Sequence, residues 1–220
     1  MTTKAGEDLP EPASFRDPSG HVFSRDGTIL RRVEVCYAPH YDRLMASGLY
    51  ERLVAQGFLV AHTEVPLGPL DQGAYRVLRP DRLPFISYPY EWCAGQLRAG
   101  ALLTLEVMQM ALEHGLILKD ANAFNIQFVG SRPVLIDTLS FEIYQDGRPW
   151  VAYRQFCEHF LAPLALACRR DPRTLGLLRA HLDGVPLSLS SSLLPWPTWL
   201  RFGLLTHVHL HARAASRLGS

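Results

Sequence analysis

Residues 118–137 read LKDANAFNIQFVGSRPVLID. Gly130-Ser131 lie between two apolar segments, 125–129 and 132–137, and this pair suits a type II′ turn, whose first central residue takes a positive φ. Placing these two residues at the turn sets the register of both flanking segments. The stretch therefore predicts a β-hairpin in which opposing residues can be counted outward from the turn.

That register brings three polar side chains to one end of the hairpin. Phe124 lies opposite Asp137, so Asn125 and Asp137 should be within ~5–7 Å of each other. Asp120 is in the loop that leads into the same end. Carboxylate and amide oxygens, completed by phosphate oxygens, are the ligands that Mg²⁺ usually takes. The sequence therefore predicts a magnesium site formed by the open end of the hairpin.

The composition is that of a globular domain. The chain has 220 residues, 48% of them hydrophobic, and its 22 Lys and Arg nearly balance its 21 Asp and Glu. This argues against a disordered chain, and the absence of a strong basic field argues against a nucleic-acid partner. The positive charge is almost entirely arginine, because Lys4 and Lys119 are the only lysines.

The sequence shows no sign of export or of a membrane partner. It has neither a signal-peptide pattern nor a run of eighteen apolar residues. The four cysteines are scattered without a C-x-x-C pair, as expected in a reducing compartment. We therefore expect a cytoplasmic protein.

The order of predicted elements indicates an α+β fold with two lobes. Residues 1–18 are predicted to be a flexible arm, residues 19–92 a small strand-rich lobe, and residues 93–220 a large helical lobe. In the small lobe we predict a hairpin turning at Asp26-Gly27, a helix over 41–56, and extended segments at 58–65, 74–78 and 84–90. In the large lobe we predict a helix over 96–114, a loop over 116–124, and helices over 151–169, from 174 to about 182, and after Pro197, with a serine-rich loop at 188–192.

The apolar residues of the helix predicted over 96–114 indicate which face is buried. Its helical periodicity places six apolar residues along one broad face: Leu97, Ala101, Leu102, Leu105, Met108 and Leu112.

The segment from Asp120 to Asp137 resembles the protein-kinase and aminoglycoside-phosphotransferase superfamily. Asp120 and Asn125 have the D-x-x-x-x-N spacing of its catalytic loop, and Asp137 follows a hairpin as its metal-binding aspartate does. The resemblance extends over about residues 20–185 and implies a two-lobed kinase-like fold. It also implies ATP and Mg²⁺ as cofactors, and a hydroxyl of a small molecule as acceptor.

The resemblance also implies roles for individual residues. Asp120 would orient or deprotonate the acceptor hydroxyl, and Lys119 would neutralise charge on the transferring phosphoryl group. Asn125 and Asp137 would hold Mg²⁺. Residues 84–90 would be the hinge that faces adenine, where Tyr88 and Tyr90 either stack on a base or pack in the core.

The chain departs from the superfamily at the small-lobe lysine that grips the α- and β-phosphates. No lysine lies between Lys4 and Lys119, so Arg31, Arg32 or Arg76 would have to replace it, with Glu51 as a possible ion-pair partner. Two further departures are Thr138-Leu139 in place of Phe-Gly after Asp137, and the lack of a glycine-rich phosphate loop.

A second resemblance covers whole segments, including SFRDPSGHVF, FISYPYEW and LIDTLSFE. They are similar to the N-terminal part of bacterial proteins described as class I S-adenosylmethionine-dependent methyltransferases, some of them nodulation-related. This implies a fused or separate methyltransferase domain as partner, with S-adenosylmethionine bound only there, since the chain has no strand-GxGxG-helix segment. The chain would then be a non-catalytic kinase-like module.

Three smaller features have alternative interpretations. His207, His209 and His211 are either metal ligands or part of a half-exposed terminal segment. Cys157 is more simply a core residue than a nucleophile paired with His159. Glu142 is either a second acidic ligand or a solvated residue.

Overall fold

One antiparallel sheet dominates the first half of the chain in the computed structural model, which describes residues 8–10 and 17–218. Its strands are paired in the order β1-β2-β3-β5-β4. They are β1 (Leu9–Pro10), β2 (Val22–Arg25), β3 (Thr28–Glu34), β4 (His62–Val65) and β5 (Ala74–Pro80). Most of the predicted N-terminal arm, residues 1–7 and 11–16, lies outside the described residues.

The predicted Asp26-Gly27 hairpin is confirmed. Asp26 and Gly27 have φ values of +49° and +73°, the two positive angles of a type I′ turn, and Arg25 pairs with Thr28 across it. Turn chemistry therefore sets the register of β2 and β3.

The predicted helix over 41–56 is in fact two helices, α1 (Ala38–Ala46) and α2 (Leu49–Ala55). Gly48 separates them with a φ of +77°, a left-handed conformation that is open to glycine and incompatible with a continuous helix. Both helices connect β3 to β4.

The extended segment predicted at 84–90 does not form a strand. Pro84 and Pro89 have no N–H for a ladder, and Pro89 begins a short 3₁₀ turn, Pro89–Glu91. The backbone of Ser87 bonds to the side chain of Gln127 instead, with Ser87 N donating to Oε1 and Ser87 O accepting from Nε2, both at 2.9 Å.

The long helix α3 (Ala94–Glu113) is confirmed, but its predicted buried face is partly wrong. Leu97 and Ala101 are buried, whereas Leu102, Leu105 and Leu112 are 43–49% exposed. The buried side is instead completed by smaller or differently spaced residues: Gly100, Leu103, Thr104, Val107, Met110 and Ala111.

The segment after α3 contains strands that position the predicted site. The predicted loop at 116–124 begins with β6 (Leu116–Leu118), which pairs with β9 (Phe141–Ile143). Between them lies the predicted hairpin, formed by β7 (Ile126–Val129) and β8 (Arg132–Leu135). Its register is confirmed, since Val129 pairs with Arg132, and Gly130 has a φ of +62°.

The remainder is helical. Its α-helices are α4 (Tyr153–Phe156), α5 (Ala162–Arg169), α6 (Leu177–Ala180), α7 (Leu187–Leu193), α8 (Phe202–Leu204) and α9 (His211–Leu218). Two π-helical segments, Cys157–Leu161 and Leu205–Leu210, join α4 to α5 and α8 to α9. The first ends two residues before Pro163, which lacks the N–H for a normal helical bond.

The serine-rich stretch 188–192, predicted as a loop, lies within α7. Leu187 and Ser190 on this helix are buried against the C-terminal segment, so tertiary packing overrides the low helix propensity of serine.

The mixed α and β composition is confirmed. Within residues 8–10 and 17–218, no helix has the length and apolar character needed to cross a bilayer.

Candidate functional site

Asp120, Asn125 and Asp137 converge at the open end of the β7–β8 hairpin. The hairpin continues one step beyond its strands, because Ile136 N donates to Asn125 O at 2.8 Å. Asn125 therefore lies beside Asp137, and its side chain is near enough to Asp120 to lower the pKa of that carboxyl.

Ser140 links two members of this group and was missed by the sequence analysis. Its fully buried Oγ donates to Asp137 Oδ2 at 3.2 Å and accepts from Asn125 Nδ2 at 3.4 Å. Ser140 is placed there by the β6–β9 pairing, since Lys119 N donates to Ser140 O at 2.8 Å. No local sequence pattern indicates this contact, because it depends on the pairing of two short strands.

Asp120 lies in an environment that favours its protonated form. Burial raises the pKa of its carboxyl, and the nearby negative charge of Asp137 raises it further. Hydrogen bonds from Asn122 N, at 2.9 Å, and from the side chains of Asn125 and Gln155 oppose this shift in pKa. Gln155 also accepts from Ala121 N at 2.6 Å, so it fixes the backbone that directly follows Asp120.

Arg31 is the arginine that the fold brings to this site. It lies on β3, and its Nη2 is 2.9 Å from Asp137 Oδ1 in a largely buried ion pair. Its Nε is buried and has no hydrogen-bond partner within the described part of the chain. An N–H donor without a partner is able to hydrogen-bond an acceptor atom of a ligand.

Lys119 and Arg31 share a second carboxylate, that of Asp17. Asp17 Oδ2 is 3.3 Å from Arg31 Nη2, and its Oδ1 is 3.5 Å from Lys119 Nζ. Lys119 Nζ also donates to Ser19 Oγ in a short hydrogen bond and lies over the ring of Tyr37. Asp17 and Ser19 were not singled out individually by the sequence analysis, although SFRDPSGHVF contains both.

The other predicted phosphate-binding residues are directed elsewhere. Arg32 pairs with Glu34 at 2.8 Å and donates to the backbone of Gln72, and Arg76 pairs with Glu64 at 3.1 Å. Glu51 is exposed on α2, while Arg31 takes its carboxylates from Asp17 and Asp137. The structure therefore distinguishes Arg31 from the other two candidates.

Tyr88 and Tyr90 stack on each other, with ring centroids 5.4 Å apart and planes within 11°. Both rings lie 6.3 Å from that of Phe124, which belongs to the loop between Asp120 and Asn125. Tyr88 is 44% exposed, whereas Tyr90 is partly buried and packs against the main core, so the cluster extends from the core to the surface next to the site.

Oxygen ligands for Mg²⁺ are present in this group. The carboxylate of Asp137 accepts from Leu139 N at 3.0 Å, from Ser140 and from Arg31, which leaves it capacity for a further partner. The side-chain oxygen of Asn125 is the neutral ligand type that Mg²⁺ also accepts. These residues therefore fit a magnesium ion in the chemistry of their donor atoms.

The histidines and Cys157 make structural contacts, and Glu142 is part of a strand. Tyr153 hydrogen-bonds His207 and stacks on His211, and His209 lies between Ser191 and Thr198. Cys157 is fully buried in the main core. Glu142 lies in β9, where it pairs with Ile117.

The chain is similar to a nodulation protein in sequence and to a solved kinase structure in fold. No protein-family model matches the chain. It is 40% identical over 206 residues to nodulation protein NoeA of Rhizobium meliloti (strain 1021), across 92% of this chain. The chain spans only 43% of the length of that relative. A solved structure of vaccinia related kinase 3 is similar over 83% of this chain and 77% of that chain, with 11% identity and a TM-score of 0.44.

Proposed function

We propose that this chain is a two-lobed, kinase-like domain that binds a nucleotide with Mg²⁺ and transfers a phosphoryl group to a hydroxyl of a small molecule. The observation that carries the proposal is the contact between Arg31 on β3 and Asp137 after the hairpin. Kinases use a cation on an early strand of the small lobe and a metal-binding aspartate after a hairpin. In this chain an arginine reaches that aspartate.

Each residue of the site has a role in this reaction. Asp120, at the start of the catalytic-type loop, accepts a hydrogen bond from the acceptor hydroxyl and takes its proton as the new bond to phosphorus forms. The bond from that phosphorus to the bridging oxygen of the nucleotide breaks in the same step, and the nucleoside diphosphate leaves. Its raised pKa brings the carboxylate closer to the basicity that a general base needs near neutral pH. Gln155 and Asn125 keep the carboxylate oriented.

The cations act on the phosphates. Arg31 can bind two phosphate oxygens at once through its guanidinium, and Lys119 supplies a point charge beside Asp120. Asn125 and Asp137 would hold Mg²⁺, which supplies charge neutralisation across the phosphate oxygens. Arg31 would then exchange Asp137 for the phosphate, since both compete for the same guanidinium.

A second candidate function is a non-catalytic kinase-like module that serves an S-adenosylmethionine-dependent methyltransferase. It is favoured by the relative being more than twice as long as the aligned segment. The backbone groups of Ser87, in the proposed adenine-facing hinge, are also already occupied by Gln127. In such a module the pair between Arg31 and Asp137 would be purely structural.

Thermal stability with and without ATP and Mg²⁺ separates the two candidates. We expect wild type to be stabilised by ATP together with Mg²⁺, by about 2.7 kcal/mol at a ligand concentration of about 100 times Kd. Asp137→Asn, which keeps an oxygen for Leu139 N, should lose this gain. Asp171→Asn, at an exposed ion pair with Arg173, is the matched control and should keep it.

Two outcomes would overturn the enzyme proposal. One is equal stabilisation of wild type and Asp137→Asn by ATP with Mg²⁺. The other is no stabilisation at millimolar ATP of either wild type or an Asp17→Asn variant, in which the carboxylate that contacts Arg31 and Lys119 has lost its charge. Transfer of labelled phosphate to small-molecule hydroxyls then identifies the acceptor.

A further inference from the structure

The segment Asp17–Ser19 contacts both cationic side chains of the proposed phosphate site, Arg31 and Lys119. The two carboxylate oxygens of Asp17 are divided between them, with Oδ2 at 3.3 Å from Arg31 Nη2 and Oδ1 at 3.5 Å from Lys119 Nζ. Ser19 Oγ accepts a further hydrogen bond from Lys119. An arginine, a lysine and a bridging anion are the arrangement by which a phosphate group is bound.

We infer that Asp17 is a built-in anion that occupies the phosphate position and must leave before a polyphosphate ligand binds. This inference rests on the proposed function in placing phosphates at Arg31 and Lys119. It adds an autoinhibitory contact, made by the residues that lead into β2.

Charge balance supports competition rather than co-binding. In the structure Arg31 and Lys119 face the carboxylates of Asp17 and Asp137, so the cluster has no excess positive charge for an incoming phosphate. A phosphate added beside Asp17 would be repelled at contact distance. Once Asp17 leaves, Lys119 loses its only carboxylate partner among the described residues, and a phosphate oxygen can replace it.

The attachment of the segment indicates which part moves. Ser19 O accepts from Glu34 N at 2.9 Å, which continues the pairing with β3. Gly20 lies so close to β3 that a Cβ there would be 1.9 Å from Arg32 O. Ser19 and Gly20 are therefore fixed, whereas the Asp17 side chain is 30% exposed and can turn out to solvent.

Removing only the charge of Asp17 tests the inference. Asp17→Asn keeps an oxygen for the hydrogen bond from Ser19 N, 2.9 Å long in the wild type, so the local turn is retained. We expect Asp17→Asn to bind inorganic pyrophosphate about tenfold more tightly than wild type in calorimetry without metal. In this variant no carboxylate at position 17 competes with the ligand for Arg31 and Lys119, so the apparent affinity is no longer reduced. The affinity of Asp17→Asn for ATP with Mg²⁺ should also be higher than that of wild type.

Two variants complete the experiment. Adding Arg31→Ala to Asp17→Asn should abolish the gain for pyrophosphate. Asp171→Asn removes the same charge from a similarly half-buried aspartate, which pairs with the exposed Arg173, and should bind pyrophosphate as wild type does.

The outcomes separate this inference from the proposed function. No gain for Asp17→Asn with either probe, or an equal gain for Asp171→Asn, would overturn the inference whatever the function is. A gain for pyrophosphate would support it even if ATP binding proved independent of Mg²⁺ and Asp137. In that case the inference would stand and the phosphotransferase proposal would fail.

Discussion

Arg31 lies between two carboxylates, and one of its donors remains unused. Its Nη2 contacts Asp17 and Asp137, while its Nε is buried without a partner in the described part of the chain. Burying a guanidinium is costly unless it is paired, so the two carboxylates stabilise it in this position. The same contacts keep the charges of Asp17 and Asp137 compensated.

Removing Arg31 should therefore destabilise the protein more than removing an exposed arginine. We expect Arg31→Ala to lower the free energy of unfolding by about 2–3 kcal/mol in urea denaturation, because two carboxylates lose their partner. Arg76→Ala is the control, since its pair with Glu64 is exposed and should contribute about 1 kcal/mol or less. Equal losses for the two variants would contradict this.

Asp120 affects stability in the opposite direction from an ion-paired carboxylate. Its pKa is raised in the folded protein, chiefly by burial, so the folded state binds a proton more readily than the unfolded state does. This contribution to stability is present at low pH and is lost as the pH rises through the folded-state pKa. At neutral pH the ionised carboxylate is a net cost.

We therefore expect Asp120→Asn to be more stable than wild type at pH 7, with a difference that shrinks as the pH falls towards about 4. Urea denaturation across this pH range measures it, with Asp146→Asn on an exposed turn as a control for loss of a surface charge. If Asp120 is the general base, phosphoryl transfer should fall by about 10²–10⁴ in the same variant. A wild type that is more stable than Asp120→Asn at pH 7 would contradict the stability prediction.

At the scale of elements, α3 shows how far periodicity can determine a buried face. The apolar residues of α3 cover most of its circumference, so several faces satisfy a helical pattern. The structure selects the one with Gly100, where a Cβ would be 3.4 Å from the ring of Phe160. Close packing at this small residue turns Leu102, Leu105 and Leu112 towards solvent.

Two leucines on α3 test this choice of face. Leu97 is fully buried, and Leu97→Ala should lower the free energy of unfolding by about 3 kcal/mol through lost contacts and a cavity. Leu105 is 43% exposed, and Leu105→Ala should change it by less than about 1 kcal/mol. Chemical denaturation of both variants measures the difference, and equal costs would mean that the helix is rotated.

At the scale of the whole molecule, the first half of the chain contacts the later strands at several points. Val60 N donates to Leu135 O and Leu135 N donates to Phe58 O, at 2.9 and 2.8 Å. Tyr37 OH donates to Phe141 O at 2.5 Å, and Thr138 Oγ1 hydrogen-bonds His62 Nδ1 at 3.3 Å. Thr138 directly follows Asp137, so these contacts help to hold the site aspartate against the sheet.

Because of these contacts, we expect residues 17–218 to unfold in a single cooperative transition. Far-UV circular dichroism reports on all elements, and tryptophan fluorescence reports on residues from Trp92 onward, so the two urea curves should coincide. Tyr37→Phe should shift both curves together, by about 1–2 kcal/mol, since it leaves a buried carbonyl without its donor. Two separated transitions would contradict this prediction.

Local chemistry made part of this structure predictable. The Asp26-Gly27 and Gly130-Ser131 turns set the register of their hairpins, because turn type and alternation act between neighbours in the chain. The proximity of Asn125 to Asp137 follows from the second register alone. The sequence by itself thus determined the two hairpins, the long helix and the acidic end of the candidate site.

Only the tertiary structure decided which distant residues complete that end. The choice of Arg31 among three arginines depends on how β3 lies against the β7–β8 hairpin, and the contacts of Asp17 and Ser140 depend on strands far apart in sequence. The partner of the Ser87 backbone is likewise a distant residue, Gln127. Such contacts arise from close packing of the whole chain, so no local pattern of residues encodes them.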